Sequence, residues 1–363
     1  MRRLIAPLFC LALLAPLARG AAEETVHIYN WNDYFAEDTL SGFQARSGVR
    51  PVLDLYDSDE MLDAKLLAGS SGYDLVFPTA RPFAGRQIKA GIYQALDKSK
   101  LPGLKNLDPA ILASLRDVDP DNRYLVPYMW GTTGLGINVD KVKAALGEEI
   151  EASWALVFDP RKAKKLAKCG LTLSDDPTEV FAAALIYLGK DPNSTRKEDI
   201  RAAQDLIKAV HPYIRYFLTS QVISDLANGD TCVALAYSGD VLQARDKAKE
   251  AGNGVEVAYL IPKEGAVLWT DVMAIPKDAP NPIQAHAFIE YLLDPKVIAA
   301  VSNFVNYANA NLAATEFLDA KVRQDPGVYP SAETRGRLIT LKERGDKEMR
   351  QLNRTWTRLK ANR

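Results

Sequence analysis

The sequence sets an aromatic ring beside a carboxylate at three separate places. Trp31 precedes Asp33 and Tyr34 in "HIYNWNDYF", residues 27–35. Tyr237 precedes Asp240 by three residues, and Trp269 precedes Asp271 by two. None of the three pairs contains a base. A carboxylate offers an ammonium ion a charge-assisted hydrogen bond. A ring face adds about 0.5–2 kcal/mol of cation–π attraction and also shelters methylenes. Rings and acids without a matching base therefore suit a cation with an apolar stem. One such pair reads as a turn acid beside a core ring. Three at strand ends read as a site.

Other chemistry finds little support. His27, His211 and His286 lack metal-ligand spacing, so no metal is expected. There is no G-x-S-x-G elbow. "GTTGLG", residues 131–136, lacks the Lys-Ser/Thr of a phosphate loop and reads as a hinge or strand entry. Asp175 and Asp176 invite a glycosidase reading. Adjacent acids ahead of a helix are better read as a solvated turn or a cap. No catalytic residue, no cofactor and no enzymatic activity are expected.

The elements around these residues place them on a rim. "TVHIYNW" reads as a strand. "DSDEMLDAKLLAGSSG" reads as a helix with Ser58 as N-cap and Asp59 and Glu60 in its first turn. "YDLVFPTA" reads as a strand buried on both faces. This β-α-β succession predicts a parallel sheet with right-handed crossovers. Such sheets hold ligands beyond the carboxyl ends of their strands. Trp31–Tyr34 and Thr79 both stand at such ends. "CGLTLSDDPTEVFAAALIYLG" and "TCVALAYSGDVLQARDKAKE" repeat the strand–turn–helix pattern, with Glu179 in the first turn of its helix. "VEVAYLIPKEGAVLWTDVMAIPKDA" reads as two strands and a turn. The whole reads as two α/β domains joined by more than one crossover. In the basic C-terminal stretch Met349, Leu352, Trp356 and Leu359 keep helical spacing, the mark of a packed helix with a solvated face.

Composition sets the compartment. The chain has 363 residues, 47% hydrophobic and 25% charged, which allows two ordinary domains. Its net charge of −1 gives no reason to expect nucleic acid or an anionic membrane as partner. Residues 1–22 carry Arg2 and Arg3, an apolar run from Leu4 to Leu17 and then small residues. That is a cleavable secretory signal, with a run too short to serve as a membrane anchor. Its loss takes three arginines and no acid, which moves the net charge to −4. Cys10 leaves with it. The remaining pair, Cys169 and Cys232, is either a disulfide or two buried thiols.

Six stretches together carry a family likeness: "YNWNDY", "LDKSKLPGLKNLDP", "DPDNRYLVPYMWGTTGLGINVDKV", "LANGDTCVALAYSGDV", "IPKEG" and "YANAN". On these the chain resembles the periplasmic polyamine-binding proteins of bacterial ABC transporters, the putrescine- and spermidine-binding type. The resemblance covers essentially the whole mature chain. It implies an α/β, two-lobed type II (Venus-flytrap) fold, each lobe a mostly parallel sheet flanked by helices. It places lobe 1 at 23–129 plus 255–300 and lobe 2 at 130–254 plus 301–363. It implies a ligand set of Trp31, Asp33, Tyr34, Thr79, Glu179, Tyr237, Asp240, Trp269, Asp271 and Tyr307, and a disulfide between Cys169 and Cys232. The sequence departs from the family motif in Asn32 and Thr79, where Ser is familiar, in Tyr237, where Trp is usual, and in Trp269, where Phe is common.

The expected protein is a periplasmic monomer without stable membrane insertion. It captures putrescine or spermidine between its lobes and delivers it to an inner-membrane ABC permease. Asp33 or Glu179 is expected to hold one ammonium region, and Asp240 with Asp271 another. The alternative ligand is another cationic amine, such as cadaverine or agmatine. A secreted hydrolase and an interaction module are the rival classes; turnover of glycans would mark the first, and indifference to small amines the second.

Overall fold

A computed structural model describes residues 24–361. The expected signal segment with Cys10 lies outside the described residues. Ten strands run through the rest: β1 (Thr25–Trp31), β2 (Arg50–Tyr56), β3 (Leu75–Val76), β4 (Leu125–Asn138), β5 (Leu171–Leu173), β6 (Val233–Tyr237), β7 (Val257–Leu260), β8 (Ala266–Ala274), β9 (Ala308–Asn309) and β10 (Leu338–Ile339).

Lobe 1 begins as the sequence predicts. β1 lies between β2 and β3 and runs parallel to both. The helix Asp59–Leu67 starts where Ser58 Oγ accepts the Met61 amide, and it buries Leu62 and Leu66. These i, i+4 side chains share one face, so the helix has one side to bury against the sheet. Lobe 2 repeats the pattern with β5 parallel to β6. The helix Pro177–Tyr187 carries apolar side chains all round and is buried along almost its full length.

Two long strands join the lobes. β4 pairs with β8 from Leu125 onward, then passes to β6 and β7 at its far end. Its register breaks between Pro127 and Trp130, where the chain changes lobe. β8 runs back antiparallel to β4. The result is one continuous sheet in the order β2-β1-β3-β8-β4-β6-β5. The sheet is mixed: β1 is parallel to β2 and β3, β5 to β6 and β10 to β8, and the remaining pairs are antiparallel. β4 runs antiparallel to β6, β7, β8 and β9.

β7 pairs with the far end of β4. Asn311 bridges Leu107 and donates its side-chain amide to Leu293 O at 2.9 Å. Arg245 pairs with Asp325 at 2.6 Å. The C-terminal helix Asp346–Ala361 buries Met349, Leu352, Trp356 and Leu359, as their spacing predicts. Cys169 and Cys232 are joined as a disulfide over a separation of 63 residues. Among the described residues no helix is long and apolar enough to cross a membrane.

Candidate functional site

All ten side chains expected at the site line one cavity between the lobes, about 670 Å³ counted out to its mouth. They arrive from separate elements. Trp31, Asp33 and Tyr34 leave the end of β1. Thr79 follows β3 and bridges Asp271 of β8 through the backbone. Tyr237 closes β6, and Asp240 enters the first turn of the helix Ser238–Ala251. Glu179 lies in the first turn of the helix Pro177–Tyr187. Tyr307 precedes β9.

The rings form a connected wall. Tyr237 meets Trp269 edge-on at 5.7 Å between centroids, and Trp269 meets Tyr307 at 5.3 Å. Tyr34 stands perpendicular to Tyr307 at 5.2 Å. Trp31 approaches Tyr237 across the lobes at 6.1 Å and donates its indole N–H to Phe77 O. The opening "GTTGLG" glycine, Gly131, serves this wall rather than a phosphate: a Cβ there would lie 2.7 Å from the Trp269 ring. Gly239 gives way to Tyr307 in the same manner.

Hydroxyls fix the acids. Asp271 is buried and accepts the Tyr34 and Thr79 hydroxyls, each at 2.8 Å. Asp240 accepts the Tyr307 hydroxyl at 2.7 Å. Asp33 is exposed and takes a left-handed backbone, φ 50°. Burial pushes the Asp271 carboxyl up to about 7. Burial does the same for Asp240, to about 7, with the Asp33 charge adding to it. Glu179 rises to about 8, through burial and then the charge of Asp176. Each shift says that the cleft disfavours a carboxylate without a counter-charge.

Sequence reasoning missed part of this set. Asp176 was read as a solvated turn or a cap. It does cap, accepting the Glu179 amide at 3.0 Å, yet it is buried, accepts the Tyr237 hydroxyl at 2.8 Å and lines the cavity. Asp175 instead holds Trp356 and Lys360 of the C-terminal helix. Asp59 was read as a first-turn acid; it is buried, lines the cavity and accepts the Thr79 amide at 3.1 Å. The signal for both was the same: an acid at a helix N-terminus beside a strand end. Asn32 donates to Asp57, whose carboxylate also takes the Ser220 hydroxyl from the other lobe. In all, seven carboxylates among the described residues line the cavity against one guanidinium, Arg81. Arg81 is itself engaged by Ser114 O and Asp117. The cleft therefore presents a negative field inside low-dielectric walls. Among the described residues no group of three or more His, Cys, Asp or Glu has the arrangement of a metal site.

The family model of the bacterial extracellular solute-binding proteins matches residues 40–330. The chain belongs to this family. Three relatives of this solute-binding protein narrow the comparison. It is 52% identical to the putrescine-binding periplasmic protein PotF of Escherichia coli (strain K12), covering 94% of this chain and 93% of the relative. It is 46% identical to the putrescine/agmatine-binding protein of Pseudomonas aeruginosa (strain PAO1), covering 94% and 93%. Among solved structures, the spermidine/putrescine ABC transporter substrate-binding protein PotD from Streptococcus pneumoniae superposes with a TM-score of 0.71 at 26% identity, covering 93% of this chain and 99% of that one. The two-lobed fold and the interlobe cavity are thus those of a solute-binding protein. Closure of such a protein needs contacts made only when the lobes meet. Here Thr178 donates to Glu60 at 3.0 Å, and Gln243 donates to Asp33 O at 3.3 Å.

Proposed function

We propose that this solute-binding protein captures a linear polyamine of the putrescine/spermidine class and delivers it to an ABC permease. The observation that carries this reading is the cavity itself: seven carboxylates, an aromatic wall and one occupied guanidinium. Methylenes lie against Trp31, Tyr237, Trp269 and Tyr307. Ammonium groups take Asp33, Asp240, Asp271 and Glu179. A buried ammonium without a partner would cost several kcal/mol, so the spacing of the acids measures the spacing of the amines. A ligand that touches acids of both lobes favours the closed state by differential binding. The names of the relatives support the ligand class. The protein carries out no chemistry on its ligand; ATP hydrolysis belongs to the transporter. Its place is the periplasm, and it acts as a monomer.

A thermal-shift panel tests the reading. Putrescine, cadaverine, agmatine, spermidine and spermine are compared with neutral amino acids. A ligand at 100 times its dissociation constant stabilises by about 2.7 kcal/mol. A shift from one or more of the amines and none from the amino acids is expected. Stabilisation by neutral amino acids alone would overturn the cationic class.

A further inference from the structure

Outside the cleft, a row of ion pairs joins two parts of the chain that the fold builds separately. On one side stands the short helix Gly85–Lys89, which follows β3. Arg86 is largely buried there, with 13% of its side chain exposed. One of its Nη atoms meets Asp63 at 2.5 Å, and Gln87 donates to the same carboxylate at 3.0 Å. Asp63 stands one turn along the helix Asp59–Leu67 from Asp59, which lines the cavity. The helix Gly85–Lys89 is thus fastened to the helix that brings an acid into the site.

On the other side stands the segment that leads into the C-terminal helix. It is fastened to the elements around β5 and β6. The Lys342 amide donates to Asn193 Oδ1 at 2.7 Å, and buried Arg344 donates to Pro192 O at 3.0 Å. Lys360 pairs with Asp175, just ahead of the helix Pro177–Tyr187, at 2.6 Å. Between these anchors two acids reach across. Asp346 takes the other Nη of Arg86 at 3.0 Å, and Glu343 takes Lys89 at 2.7 Å. Like the bond from Thr178 to Glu60, both run between the two parts. None of the four charges lines the ligand cavity. An exposed ion pair contributes little, so Lys89 with Glu343 alone is a weak clasp. Arg86 is better placed. Its fork is held by Asp63 before Asp346 arrives, so less side-chain freedom is lost when the second pair forms.

We infer that Arg86 is a positioning residue that, with Lys89, clasps Asp346 and Glu343 and fastens the closed form from outside the ligand cavity. Affinity then depends on two cations that never touch the ligand. This rests on the ligand-driven closure proposed above. The sign of the effect separates it from simple electrostatics. Removing a cation near an acidic cleft makes the field more negative and favours a cationic ligand. Removing a clasp makes closure less favourable and weakens the same ligand.

Titration calorimetry and stopped-flow tryptophan fluorescence of the mature protein with putrescine and spermidine test it. Lys89→Gln, at a side chain 70% exposed, is expected to weaken both amines by about twofold to threefold. Arg86→Gln is expected to weaken both by about threefold to tenfold, and Arg86→Lys to recover part of that loss. The change is expected in faster dissociation, with the preference between the two amines unaltered. In the double variant Lys89→Gln/Glu343→Gln the loss is expected to equal that of Lys89→Gln alone, because the pair is already broken. Tighter binding by either cation variant, unchanged affinity in both, a loss confined to one amine, or losses that add in the double variant would overturn the inference. If Arg86→Gln does not fold, Lys89→Gln and the double variant decide alone. Wild-type protein that binds neither amine would overturn the polyamine reading and this inference with it. Wild-type binding that the variants leave unaffected would overturn the inference alone.

Discussion

Asp271 is held at both oxygens by hydroxyls from other elements, Tyr34 and Thr79. Those bonds orient a carboxylate that burial alone would neutralise. Asp271→Asn keeps the shape and removes the charge. It is expected to weaken binding of the best polyamine by about 1–3 kcal/mol, the worth of a charged hydrogen bond. Calorimetry reads this directly, and an unchanged affinity would remove Asp271 from the site. Asn32 illustrates what residue types alone conceal. It departs from the family motif and lines the cavity, and its amide is spent on Asp57. The partner lies 25 residues away on another loop, beyond any local pattern.

At the scale of elements, the site depends on β4 and β8 lying close together. Gly131 sits opposite Trp269 in that pair, and a methyl group there would press on the ring at 2.7 Å. Both strands are buried and paired on each side, so the indole must move instead of the backbone. Gly131→Ala is therefore expected to lower stability by about 1–3 kcal/mol, the usual effect of overpacking. Ligand affinity is expected to fall with it, and tryptophan fluorescence to shift. An unchanged affinity and spectrum would show that Trp269 has room to spare. The helices and strands around the site were legible because their periods are strong. β1 and the helix Pro177–Tyr187 follow from alternation and capping alone. The pairing partners of β7 and β9 were not legible. They rest on which strand each segment meets, and hydropathy does not specify it.

For the whole molecule, the raised acids make the cleft a store of protons. Burial pushes Glu179 up to about 8 from an ordinary 4.5, and Asp240 and Asp271 up to about 7 from 3.8. Between about pH 4 and 8 the closed fold therefore keeps protons that the unfolded chain has released. Bound protons in the native state exceed those in the unfolded state, so stability without added ligand falls as pH rises through this window. A polyamine reverses the balance by supplying the counter-charges. Its binding is expected to release protons, and affinity is expected to rise from about pH 6 to 8, while the amines stay charged. Calorimetry in two buffers of different ionisation heat would show it. Identical heats in both buffers at pH 7 would mean that the acids are already ionised before the ligand arrives.

The order of residues by itself determined the local elements, the aromatic–acid pairs at strand ends and the cationic class of ligand. These follow from short-range periodicity and from side-chain chemistry, which travel with the sequence. Tertiary structure alone decided that acids at two helix N-termini, Asp59 with Glu60 and Asp176 with Glu179, would meet across one cleft. It also decided that Asp59, Asp176 and Glu179 would be buried there. Whether such an acid is a solvated cap or part of a binding site depends on what faces it, and that partner is set by the closure of two lobes more than a hundred residues apart in the chain.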